Sequence, residues 1–175
     1  MRDYRMQPDL LPKLVEASKA IAGKPQWHAP DSTWLRLTAA LDIDGGTVEG
    51  LELRGGATQT LPDRAVRFQL QYTPPRGPCT PLVRVEWRPL APHTNPNIGE
   101  HPLMRIAGSH VHPFDLNWLT EFGRMRGGNL VTARPLNPDP ASYEEFLALV
   151  GKECRISGLE RLEKPTWRLS DLFGM

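Results

Sequence analysis

Residues 35–55 read LRLTAALDIDGGTVEGLELRG. Leu35, Leu37, Ala39, Leu41 and Ile43 alternate with Arg36, Thr38 and Asp42, and a period of two puts the first set on one face of a half-buried strand. Asp44-Gly45-Gly46 follows, and its glycines accept the positive φ that a tight hairpin turn demands. The return run TVEGLELRG loses phase at Gly50, which predicts a bulge there. Two further runs continue the pattern. AVRFQLQY sets Val66, Phe68, Leu70 and Tyr72 against Arg67, Gln69 and Gln71, and LVRVEWR sets Val83, Val85 and Trp87 against Arg84, Glu86 and Arg88. Four strands joined by short links predict an antiparallel meander.

Helices flank the meander. PDLLPKLVEASKAIAGKPQW spaces Leu10, Leu14, Ala17 and Ile21 at helical intervals, with Asp9 as a cap and Gly23 and Pro25 as stops; this predicts an amphipathic helix of about 13 residues. DPASYEEFLALVGKECRI predicts a second, with Asp139 as N-cap, Pro140 at the first position, Glu144 and Glu145 near the positive end, and Tyr143, Phe146, Leu147 and Val150 as the buried stripe. Between Arg88 and that helix the chain is rich in Pro, Asn and Gly and reads as loop. It is interrupted by a short strand at 103–106, a helical turn or two in LNWLTEFGRMRGG, and a last strand in NLVTARPL. The tail LERLEKPTWRLSDLFGM is too apolar to float free. The expected fold is one α+β domain, an antiparallel sheet of about five strands with an N-terminal and a C-terminal helix packed on its apolar face.

Composition limits the function classes. Of 175 residues 39% are apolar and 23% charged, and no run approaches the length of a membrane span. The first residues carry charge throughout and lack the apolar core of a secretory signal, so a cytoplasmic protein with no membrane partner is expected. Cys79 and Cys154 read as free thiols. Sixteen arginines against five lysines suit an anionic partner, and suit a GC-rich coding sequence equally. The polar sheet face collects Arg36, Arg54, Arg67, Arg84 and Arg88 with Gln69, Gln71 and Glu86, and Trp34 is its one aromatic residue. A solvated face, or a docking surface for a protein, follows more readily than a base-stacking RNA platform.

The chemistry concentrates in GSHVHPF, residues 108–114. Residues i and i+2 of an extended segment point the same way, so His110 and His112 share a face while Val111 turns into the core. One reading is cleavage of RNA by its own 2′-hydroxyl. His110 and His112, with His93, would act as general acid and base, and Ser109, Arg105 or Arg134, together with Arg67 and Arg84, would hold the phosphate. That reading needs no cofactor and assigns no metal ligand. A second is a divalent transition ion held by the pair with His93, His101 or Asp115. The third is structural, with the loop histidines bonding carbonyls that lack ladder partners and Asn95 and Asn97 forming Asx turns. His28, after the first helix, reads as structural.

The stretch EWRPLAPHTNPNIG…GSHVHPF, followed at a distance by YEEFLALVGKECRI, resembles small uncharacterised bacterial domains found near mobile elements and toxin–antitoxin loci. The likeness covers residues 82–156. It implies a bacterial, intracellular protein with a nucleic-acid-directed role, and it assigns no catalytic residue to His110 or His112. The leading expectation is therefore a toxin-like or defence-associated RNA nuclease. The alternatives are a non-catalytic module that binds a protein through the Arg-rich face or the tail, and a metal-dependent enzyme. The oligomeric state is not readable.

Overall fold

The computed structural model describes residues 9–98 and 104–168. In chain order these form α1 (Leu10–Glu16), β1 (Lys19–Ile21), β2 (Trp34–Ile43), β3 (Gly46–Thr58), β4 (Val66–Tyr72), β5 (Thr80–Trp87), β6 (His93–Thr94), β7 (Arg105–Ile106), β8 (His110–His112), α2 (Phe114–Asn117), β9 (Trp118–Leu119), β10 (Arg124–Met125), β11 (Arg134–Pro135), α3 (Tyr143–Cys154) and β12 (Ile156–Ser157). The class is α+β, but the main sheet has eight strands rather than five, in the order β11-β8-β5-β4-β3-β2-β1-β12. Consecutive strands β2 to β5 form the expected antiparallel meander. β8 and β11 extend it on one side, and β1, antiparallel to β2 and parallel to β12, extends it on the other.

Alternation in the sequence becomes alternation in burial. Leu35, Leu37, Ala39 and Leu41 of β2 lie in one core cluster with Leu51, Leu53, Phe68, Leu70, Val85, Trp87 and Val111. α3 closes that cluster with Tyr143, Phe146, Leu147 and Val150, the stripe expected from its spacing. The Phe146 ring stacks on Trp87 with centroids 5.5 Å apart, and the Trp87 indole N–H reaches the Pro140 carbonyl at 2.9 Å. That bond makes burial of a polar aromatic tolerable. The cap of α3 differs from expectation: Ser142, not Asp139, accepts the Glu145 N–H, and the Glu145 carboxylate answers to the Ala141 N–H. Both orphan donors are thus met reciprocally.

The predicted 13-residue N-terminal helix stops after seven. Asp9 makes no side-chain cap bond, and Ala17 is already extended. The cause is Lys19. Its buried ammonium donates to the carbonyls of Leu14, Val15 and Ala17 at 2.8, 3.0 and 2.6 Å, satisfying the open C-terminus of the helix and freeing 19–21 to join the sheet. The phase loss at Gly50 is real. The β2–β3 register shifts between Ala40 and Asp42, and Gly50 has φ +79° against the Thr73 backbone.

The loop region holds more structure than expected, in small pieces. Two two-stranded ribbons, β6–β7 and β9–β10, sit between β5 and β11. The short strand expected at 103–106 is found as Arg105–Ile106, and Leu103 lies outside the described residues. Only Arg134 and Pro135 of the predicted last strand enter the ladder. In the tail, Leu159 and Leu162 join the core and Trp167 packs against it, while Leu169 and Phe173 are outside the described residues. Among the described residues no helix is long and apolar enough to cross a membrane.

A buried three-histidine centre on the polar sheet face

The face of the sheet away from α3 is organised in cross-strand rows. One row runs Gly56, Arg67, Glu86, His110, Pro135, and the next runs Arg54, Gln69, Arg84, His112. Opposed residues in antiparallel strands lie about 4.5–5.5 Å apart, so register alone sets Glu86 beside His110 and Arg84 beside His112. Val111, between the two histidines, is fully buried in the core as its parity requires.

His110 and His112 point out from the sheet, yet each is only 2% exposed. The flanking segments 93–98 and 113–133 fold back over them, and two buried asparagines fix them there. Asn117 donates to the carbonyls of Pro113 and Thr132 and accepts the Thr132 N–H, all at 2.8 Å. Asn95 donates to the Ala133 carbonyl and accepts the Ala133 N–H, both at 2.7 Å. Each amide copies one step of a β ladder, so 130–133 is held without strand partners. Neither asparagine was expected to do this; Asn95 had read as a turn former.

The same clamp delivers the third imidazole. His93 Nε2 lies 3.1 Å from the Val131 carbonyl and 3.0 Å from Asn95 Oδ1. A carbonyl only accepts, so Nε2 carries the hydrogen and Nδ1 keeps its lone pair. His110 Nδ1 lies 2.9 Å from the Gly108 carbonyl, and the same logic leaves Nε2 with the lone pair. His112 has both ring nitrogens buried, neither making a hydrogen bond of good geometry, although the Leu130 backbone comes near enough to favour the charged ring. The three rings pack with centroids 4.6, 5.1 and 5.4 Å apart, and one nitrogen from each lies within 4.8 Å of the others. Glu86, from β5, brings its carboxylate to 4.0 Å from His110 Nε2 and 3.9 Å from His112 Nε2. Those gaps are too long for hydrogen bonds.

Burial above all, with the charges of Arg84, His93 and His110 adding to it and the Leu130 backbone opposing it, pushes the His112 imidazole down to about 3. His112 is a neutral ring at any ordinary pH. Arg84 borders the centre: its Nε donates to Gln69 at 2.9 Å, one Nη is 3.9 Å from Glu86 and the other 3.5 Å from Asn129. Desolvation also lowers the guanidinium, against the raising effect of Glu86.

The other sequence candidates separate. Arg67 stands opposite Glu86, exposed, with its guanidinium 5.7 Å from the Trp34 ring centre. Arg105 is exposed on β7, opposite Thr94. Ser109 is not poised for phosphate, because its hydroxyl accepts the Arg88 N–H at 3.0 Å. Arg134 pairs with Val111 and so leaves the sheet on the other face, where it meets both oxygens of Glu153 on α3 at 2.8 Å. Arg88 departs from the polar face too: at φ +46° it lays its guanidinium over Trp87 and donates to the Ala141 carbonyl. His28 makes a backbone bridge to Arg36. Asp115 is exposed, and His101 lies outside the described residues.

Glu86 is the neighbour of the histidines that strand reading placed on the face without placing it beside them. Its signal was parity: in EWR it alternates with Val85 and Trp87, and only the β5–β8 register adds that it opposes His110. Comparison with known proteins returned nothing: no family model fits the chain, and no curated protein or solved structure matches it.

Proposed function

We propose that the chain is a metal-dependent enzyme whose divalent transition ion is held by His93, His110 and His112, with Glu86 as the fourth protein group. One observation carries the reading. Two backbone carbonyls fix the tautomers of His93 and His110, which leaves a lone pair on each; the three rings offer one nitrogen apiece within 4.8 Å of one another, and the Glu86 carboxylate stands 4.0 Å from His110 Nε2 and 3.9 Å from His112 Nε2 with no hydrogen bond between them. An imidazole that donates its far N–H to a backbone carbonyl is the usual support of a metal ligand, because that bond orients the ring and raises its basicity. Three imidazoles and a carboxylate suit zinc, iron(II), nickel or manganese rather than soft copper(I). Such an ion acts as a Lewis acid toward a substrate oxygen. Glu86, partly exposed beside it, is placed to hold the ion or to take a proton.

Metal-independent RNA cleavage by the same residues asks one imidazole to carry a proton near pH 7 and the others to reach a phosphate. His112, neutral down to about pH 3 and 2% exposed, is unsuited to that task. Nucleic-acid chemistry through the ion is compatible with the site.

The test is metal stoichiometry. Chelator-stripped protein is expected to take up one zinc or cobalt ion per chain, and His93→Ala and the double variant His110→Ala/His112→Ala to take up none while still folding. Wild-type protein that binds no divalent ion, yet cleaves RNA in the presence of chelator, would return the site to acid–base chemistry.

A further inference from the structure

The metal reading says nothing about what the ion acts on; the rim of the site does. His110 and His112 are sealed under the flanking segments 93–98 and 113–133; His93 is half-buried in that cover, and on the sheet itself the partly open groups are Glu86 and Arg84, whose side chains are 23% and 21% exposed. A substrate group approaching the ion from the open sheet face passes between them. We infer that this group is a small anion, a carboxylate or a phosphate, received by the Arg84 guanidinium with Arg67 beside it. The inference rests on the metal reading above.

Arg84 is a cation whose fork is only loosely engaged. Of its five donors, only Nε makes a short bond, to Gln69. Its two Nη groups stand at 3.9 Å from Glu86 and 3.5 Å from Asn129. Half-burying a guanidinium without closing its bonds costs free energy, and a bidentate oxyanion is what the planar fork fits best. The Gln69 bond holds the guanidinium's orientation, so little entropy is lost when the anion docks.

Charge points the same way. Arg54, two strands away along the Arg84 row, is already paired with Glu52. Arg67 opposes Glu86 across the β4–β5 ladder and lays its guanidinium 5.7 Å from the centre of the Trp34 ring. Once Glu86 is drawn to a divalent ion, the ion, Arg84 and Arg67 together carry four positive charges against the single negative charge of Glu86. Attraction of that size in a half-buried site selects an anionic ligand.

The experiment uses the full chain loaded with cobalt(II), whose visible spectrum reports ligand changes at the ion, titrated separately with methylphosphonate and with acetate. One of the two is expected to shift the spectrum saturably, which identifies the source of the anion. Its Kd is expected to rise about 10- to 100-fold in Arg84→Gln, for loss of a bidentate charged contact. The rise is expected to be smaller in Arg67→Gln, intermediate in Arg84→Lys and absent in Arg54→Gln, with cobalt stoichiometry unchanged throughout. Cobalt bound one to one with a spectrum indifferent to both anions overturns the inference and leaves the metal reading standing. Equal weakening by Arg54→Gln and Arg84→Gln also overturns it, since that is the signature of a diffuse field. Failure to bind cobalt at all removes the metal reading, and the inference with it.

Discussion

His112 is buried on every side, and neither ring nitrogen makes a hydrogen bond of good geometry. In protein stripped of metal this has a pH signature. The folded pKa, about 3, lies below the unfolded 6.5, so between those values the unfolded chain binds the extra proton. The stability due to a neutral His112 is therefore complete above pH 6.5 and lost progressively as pH falls toward 3. Between pH 7 and pH 5 the loss is about 2 kcal/mol. Urea unfolding of chelator-treated protein at the two pH values measures it, and His112→Asn is expected to flatten most of the slope; an unchanged slope refutes the account. The histidine pair could be found from the sequence because a strand's parity is local. Glu86 and Arg84 could not be joined to it, because which residue faces which across a ladder is decided by register, here β5 against a strand 24 residues further on, counted from Glu86 to His110.

At the scale of elements, the strands that could be read were those whose pattern is long. β2 to β5 each repeat the alternation several times, and all four appear in the sheet. β1 is three residues embedded in a run that keeps helical spacing, and what ends α1 before it is a tertiary event, the burial of Lys19 against the helix carbonyls. Segment 130–133 was expected to be a strand and is instead carried by Asn95 and Asn117. Because those amides position the carbonyl that orients His93, Asn117→Ala is expected to weaken zinc binding about 10- to 100-fold while changing no ligand. Competition against a chromophoric chelator gives the number, and wild-type affinity in the variant would show that the clamp and the centre are independent. The bulge makes a separate prediction. Gly50 is at φ +79°, and a Cβ there would overlap the Thr73 carbonyl. Gly50→Ala combines left-handed strain with a backbone clash and is expected to cost about 2–4 kcal/mol; denaturant unfolding that finds less than half of that would mean the β3–β4 link can relax around it.

For the whole molecule, the two faces of one sheet do different work. The α3 face carries the main cluster, with large side chains such as Trp87, Tyr143 and Phe146 filling it, and supplies the stability on which the other face draws. The second layer is thin: Ile106, Met125, Leu130 and Ala133 are buried outside the main cluster, and segments 93–98 and 113–133 are tied down by hydrogen bonds such as those of Asn95 and Asn117. An ion that draws His93 of that layer together with His110 and His112 of the sheet would therefore crosslink layer to sheet, and binding only to the folded state adds RT ln(1 + [L]/Kd) to stability. At a free zinc concentration a hundredfold above Kd this is about 2.7 kcal/mol, or roughly 5–10 °C in Tm for a chain of this size. The gain should be concentrated in the thin layer, so amide exchange in 93–98 and 113–133 should slow on zinc addition while the slowest amides of β3 and β4 shift only with global stability. His93→Ala is expected to abolish both effects. A zinc-dependent rise in Tm that survives His93→Ala, or protection that appears evenly over the sheet, would place the ion somewhere other than between these three rings.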